Sequence, residues 1–190
     1  MNLFTRLVRP LCLCKAQKIT KHCRRFVKGR VIDIGAGRCY IAKEIQDVCN
    51  VDVACIDIDD LNETDLNLIV YDGRNIPYKS NSFDTSLIVY VLHHCKDPEA
   101  VLRECIRVCK NNGRIIIFED VGFKFPTYVF DWIGNKLHNV EAPLNFKSLE
   151  EWKKLFKRLN LGIVHIERGV EKQVFYPLVG HTMFVLKVKK

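Results

Sequence analysis

Acidic side chains are missing from the first thirty positions of this 190-residue chain, which carry nine Lys and Arg. The remaining 160 residues hold 21 basic and 22 acidic side chains, so the formal net charge of +8 belongs to an N-terminal arm and the body is neutral. A neutral body offers no long basic track, and no nucleic-acid partner is expected. Runs of the roughly 18–20 apolar residues needed for a membrane span are absent; the longest, "SLIVYVL" and "RIIIF", have the length and branching of buried strands. Internal repeats and low-complexity tracts are absent too. Cys12 and Cys14 have no second pair at zinc-finger spacing, so no metal site is expected. Nine cysteines, an odd number without a secretory signal, lead to the expectation of reduced thiols and a cytoplasmic location.

What is present alternates strand with helix. Residues 1–28 read as a basic arm broken by Pro10, with a lid helix at 15–28. Residues 1–14 alternate apolar and basic positions, a pattern that suits peripheral contact with an anionic membrane or a targeting presequence. Residues 29–190 read as a single domain. "RVIDIG", "VDVACIDI", "LNLIVYD", "FDTSLIVYVL" and "GRIIIFED" are expected strands, the fourth buried on both faces. Between them "RCYIAKEIQDV" is an expected helix with Tyr40, Ile41, Ile45 and Val48 on one side. "EAVLRECIRVCK" is another, capped by Asp97 with Pro98 in its first turn and stopped by "NNG". Ser148 and Glu151 form a capping box for a third helix, and "GIVHIERGV" and "HTMFVLKVKK" close the chain as strands. Cys55, Cys105 and Cys109 fall on apolar faces and read as small buried hydrophobes. The fold class implied is α/β with a mostly parallel sheet.

The stretch "VIDIGAGRCY" puts Asp33, Gly35 and Gly37 between a strand and a helix. Free backbone N–H groups at such a junction suit an anionic or hydroxyl-bearing ligand. A dinucleotide fingerprint would want glycine three positions beyond Gly37, and position 40 is Tyr. The stretch instead resembles motif I of class I S-adenosylmethionine-dependent methyltransferases, apolar-apolar-Asp-x-Gly-x-Gly-x-Gly, with Cys39 in place of the last glycine. The resemblance covers roughly residues 29–120. Asp57 ends "VACID" 22 residues after Gly35, and "YDGRNIPYKSNSFDTSLIVYVLHHCKDPEAVLRECIRVCKNNGRIIIFED" follows the pattern of the small-molecule "type 11" group, with Asn112 replacing one glycine.

The resemblance implies a Rossmann-like seven-stranded sheet with one antiparallel C-terminal strand, helices on both faces, and S-adenosylmethionine as cofactor. It assigns the glycine loop, Asp57 and Ile58 to the cofactor's ribose side, Asp72, Gly73 and Arg74 to its adenine, and Tyr90 to its methionine portion. Taken singly, Asp57 and Asp72 also read as strand-end and turn residues.

His93 and His94, just beyond the fourth strand, are the candidates for an acceptor-side base or orienting group, with His94 preferred. Either also reads as a histidine that only bonds a loop carbonyl. Residues 121–147, with Phe123, Phe125, Tyr128, Phe130 and Trp132, are the expected acceptor-site insertion, and an aromatic wall favours a small apolar or aromatic acceptor. Asn-Pro-Pro-Tyr and Pro-Cys motifs are lacking, which lowers the case for methylating bases or glutamine. The alternatives are a nucleic-acid methyltransferase and a catalytically silent, cofactor-binding relative that serves as an interaction module.

Overall fold

The computed structural model describes residues 3–121, 145–170 and 181–190, with side chains from residue 9. Seven strands form one sheet: β1 (Val31–Ile34), β2 (Val53–Asp57), β3 (Leu68–Val70), β4 (Phe83–Val89), β5 (Cys109–Asp120), β6 (Gly162–Val170) and β7 (His181–Lys187). Their order is β3-β2-β1-β4-β5-β7-β6. β1 to β5 pair in parallel, and β7 lies antiparallel between β5 and β6. The chain moves outward from β1 to β3 and then returns to lay β4 against β1. Loops at the carboxyl ends of β1 and β4 therefore diverge, which opens the crevice where α/β sheets bind ligands.

Four helices cover the sheet: α1 (Leu3–Cys23), α2 (Tyr40–Cys49), α3 (Pro98–Val108) and α4 (Leu149–Arg158). Strand side chains alternate between faces with period two. One core accordingly gathers Val31, Cys55, Leu87, Ile116 and Phe118 beneath Ile19 of α1 and Ile45 of α2. The other gathers Ile32, Ile34, Ile88, Ile115 and Ile117 beneath Leu102 of α3 and Trp152 and Phe156 of α4. Both expected caps form: Asp97 accepts from the Ala100 amide, and Ser148 with Glu151 makes the reciprocal box. Among the described residues, no helix is long and apolar enough to cross a membrane.

Three local expectations need correction. Pro10 does not break the arm, because α1 runs through it. The proline forfeits one intrahelical hydrogen bond, and a stripe of Ala16, Ile19, Thr20 and Cys23 buried against the domain anchors the helix beyond it. Val48 is 47% exposed and Ala42 takes the inward place beside Tyr40 and Ile45. α3 ends at Val108, and Cys109 turns extended to start β5 opposite Phe83. The "NNG" run is a bulge within β5, with Asn112 at φ 62°, where the register jumps before Thr85 meets Arg114.

Candidate active site

The turn after β1 is left-handed at three residues: Gly35 (φ 74°), Gly37 (φ 52°) and Cys39 (φ 61°). The amides of Gly35 and Ala36 both reach the Ile56 carbonyl, at 2.9 and 3.1 Å, so the turn is sewn to β2. A Cβ on Gly35 would lie 2.4 Å from Val91 Cγ2, while one on Gly37 would meet nothing within 4 Å. One glycine is required by packing, and the other borders open space. Tyr40, where a dinucleotide site would have glycine, donates its hydroxyl to Glu63, which also pairs with Arg38. That latch ties the loop after β2 to the start of α2.

Asp57 at the tip of β2 turns toward the glycine loop. Its Oδ2 accepts from the Gly37 amide at 2.6 Å and its Oδ1 from the Ile58 amide at 2.6 Å. A carboxylate has about four lone-pair sites, so each oxygen keeps one for a further donor. Ile58 is 53% exposed, and its Cγ2 lies 3.1 Å from where Gly73 would carry a Cβ. The tips of β2 and β3 thus meet. Asp72 caps its own turn, accepting from the amides of Arg74 (2.8 Å) and Asn75 (2.7 Å) and from Asn75 Nδ2 (2.8 Å). These donors hold its carboxyl below the usual range, and Arg74 is exposed beside it. Buried Asp33 is pushed up to about 7 by desolvation and, secondarily, by the Asp57 charge. The structure therefore brings Asp33, Gly35, Gly37 and Asp57 together, with Ile58 and Gly73 next to them, while Asp72 serves its turn.

The rim over β4 and β5 is built differently. Tyr90 follows β4 in a left-handed conformation (φ 57°), its amide on the Phe118 carbonyl at 2.9 Å. Lys15 of α1 stands 4.2 Å from its ring centroid. A 3₁₀ turn, Leu92–His94, carries both predicted histidines. His93 is buried and its Nδ1 bonds Glu119 Oε2 at 2.6 Å, while Glu119 Oε1 accepts from the Leu92 amide at 2.7 Å. His94 packs against His93, with ring centroids 4.0 Å apart, and its buried Nδ1 has no hydrogen-bond partner among the described residues. Burial, then the His93 charge, lower His94 to about 4. It is neutral at physiological pH and a weak base.

Most of the expected acceptor segment, residues 122–144, lies outside the described residues, including Phe123, Phe125, Tyr128, Phe130 and Trp132. Its two edges meet, since Val121 bridges Lys147. Phe146 stacks on His93 at 5.2 Å, and the Asn145 side chain donates to the Cys95 carbonyl. The sequence reading missed Asp120 and His181, which sit opposite each other at the end of β5 and the start of β7 and bond side chain to side chain. Only a prediction of the β5–β7 register would have joined them.

A left-handed glycine loop where the strand order reverses, with strand-tip carboxylates beside it, is the arrangement of a Rossmann-like fold. Residues 32–117 match the family model described as "Methyltransferase domain". The chain is 27% identical over 162 residues to the uncharacterized methyltransferase YcgJ of Bacillus subtilis, covering 78% of this chain and 62% of that protein. It is 29% identical over 96 residues to a demethylmenaquinone methyltransferase of Paenarthrobacter aurescens, covering 47% and 38% respectively. In fold it is similar to an S-adenosylmethionine-dependent methyltransferase from Methanosarcina mazei, with a TM-score of 0.70 at 14% identity over 88% of this chain and 97% of that one. The family match, the relatives and the fold together support a class I S-adenosylmethionine-dependent methyltransferase domain. Its matched part spans 38–62% of the length of the first curated relatives.

Proposed function

We propose that the chain binds S-adenosylmethionine at the carboxyl ends of β1 to β3 and methylates a small, apolar or aromatic acceptor held over β4 and β5. The observation that carries this reading is the open space above Gly37, bordered by an Asp57 carboxylate that retains lone pairs for hydroxyl donors. The donor set fits the cofactor. A carboxylate accepting two O–H groups is a selective clamp for a ribose diol. The exposed Ile58 side chain and the bare Gly73 backbone offer an apolar wall and close approach for a flat base. Asp72 and Arg74 stand beside that wall, and Tyr90 would lie under the amino-acid end.

When bound, the cofactor supplies an electrophilic methyl group on a sulfonium. The protein's own work is to hold the acceptor in line and keep water out. His94 suits an orienting role at the acceptor, because its unpartnered Nδ1 is neutral and available for a hydrogen bond. Demethylmenaquinone methyltransferases recur among the relatives, at 28–42% identity over parts of this chain, which supports a flat, lipid-soluble acceptor. Such an acceptor also suits membrane contact through residues 1–14.

Calorimetry with S-adenosylhomocysteine tests the donor side. Binding to the full chain is expected, weakened about tenfold or more by Asp57→Ala, which is a loss of about 1.4 kcal/mol or more. Absence of heat and of thermal stabilisation would sink the proposal and leave an interaction module.

A further inference from the structure

We infer that Asp120 and His181 form the acid–base pair of the acceptor site, with His181 Nε2 taking the proton from a hydroxyl on an aromatic acceptor. The inference rests on the methyltransferase reading above and adds the chemical class of its substrate. His181 and Asp120 face each other across the β5–β7 ladder, and both are more than nine-tenths buried. Asp120 Oδ1 bonds His181 Nδ1. An ionised carboxylate only accepts, so Nδ1 carries the hydrogen and Nε2 is left with a lone pair. That Nε2 is buried and has no hydrogen-bond partner among the described residues.

An unmade hydrogen bond on a buried polar atom costs about 1–3 kcal/mol, so its persistence calls for a reason. Its neighbours supply one. The His181 ring packs against Tyr90 at 4.7 Å between centroids, at the rim where β4 ends. The Asp120 charge also acts on His94, so the three groups share one environment. They lie together at the carboxyl ends of β4 and β5, next to the switch-point crevice. Two histidines thus hold buried nitrogens at this end of the sheet. His94 is lowered by burial and by His93, whereas His181 is held at Nδ1 by a carboxylate, the arrangement that orients an imidazole to act as a base. The aromatic Tyr90 ring and the O–H needed to satisfy Nε2 together specify a phenol or hydroquinone.

In the step proposed, the acceptor O–H bond breaks and its proton forms a bond to Nε2. The electron pair stays on the acceptor oxygen, conjugated into the ring. Asp120 keeps its charge and balances the imidazolium, which returns the proton to solvent after the product leaves. His181 is the catalytic residue and Asp120 the positioning residue.

The test uses the full chain with 15N-labelled histidine, S-adenosylhomocysteine and 4-nitrophenol as the probe. His181 is expected to show the Nδ1–H tautomer, and its Nε2 signal to move toward the protonated form when the probe binds. The visible absorption of bound 4-nitrophenolate should then fall about tenfold in His181→Gln, with S-adenosylhomocysteine affinity unchanged. Asp120→Asn, read in the same spectra, should scramble the tautomer, and it keeps the test decisive if His181→Gln fails to fold. An Nε2–H tautomer in the wild type, a silent Nε2 signal, phenolate formation independent of His181, or no binding of 4-nitrophenol would overturn the proposal. Probe ionisation that survives while S-adenosylhomocysteine fails to bind would sink the donor reading and leave the pair standing.

Discussion

Glu119 and Asp120 are neighbours on one strand, and each holds a histidine, yet the two pairs are built to different ends. Strand alternation sends Glu119 to the α3–α4 face and Asp120 to the α1–α2 face. Glu119 spends both oxygens, one on His93 Nδ1 and one on the Leu92 amide, and Phe146 closes over the imidazole. Asp120 holds His181 by one nitrogen and leaves the other bare at the rim. The first arrangement fixes the backbone that follows β4. The second keeps a polar atom in waiting. Two acidic residues a position apart therefore hold their histidines in different ways, one through two bonded oxygens and the other through a single bond.

Breaking the sealed pair should have the largest effect. Glu119→Ala leaves His93 and the Leu92 amide buried without their acceptor, and removing one member of a buried pair costs about 3–5 kcal/mol. Urea unfolding should show that loss. Asp120→Ala strips a single bond from a histidine already half-satisfied, and about 1–3 kcal/mol is expected. Equal losses would erase the distinction between the two pairs.

The pH dependence of stability sharpens the same contrast. His94 is held down to about 4 from its ordinary 6.5 by burial and by His93. Between those values the unfolded chain binds a proton that the folded one refuses. The stability this group contributes is thus complete above pH 6.5 and is lost as pH falls toward 4. His94→Gln should flatten that fall by at most about 3 kcal/mol, measured as the wild-type-minus-variant difference. The difference is needed because Asp33, raised to about 7, runs the other way: its contribution is complete below its ordinary 3.8 and is lost as pH rises through 7. Curves that superimpose would mean His94 titrates normally.

How much of this was legible beforehand divides along the same line. The seven strands, both caps and the glycine loop depend on residues close in the chain, so period and spacing revealed them. Asp57, singled out by the resemblance at its spacing from Gly35, accepts from the Gly37 amide. What stayed hidden depends on long-range pairing. Asp120 and His181 are 61 positions apart and meet only through the antiparallel β5–β7 register. Val48 looked inward because a helical period does not say which residue the neighbouring helix will displace. Asp72 caps its own turn, the local reading that its sequence position also offered.

The smallest expected loss of stability lies in the glycine loop, at the open one of two glycines two residues apart. Both Gly35 and Gly37 sit at positive φ, where a side chain costs about 1–2 kcal/mol. At Gly35 the new methyl must also displace Val91, 2.4 Å from its ideal position, so Gly35→Ala should lose about 2–3 kcal/mol in urea unfolding. At Gly37 nothing stands within 4 Å, and Gly37→Ala should lose only about 1 kcal/mol. Ligand affinity should rank them by a different rule. The Gly37 methyl would intrude on the space bordered by Asp57, so S-adenosylhomocysteine binding should weaken about tenfold although the fold is hardly disturbed. A Gly37→Ala chain that binds at full strength would show that the open space is not where the nucleoside goes.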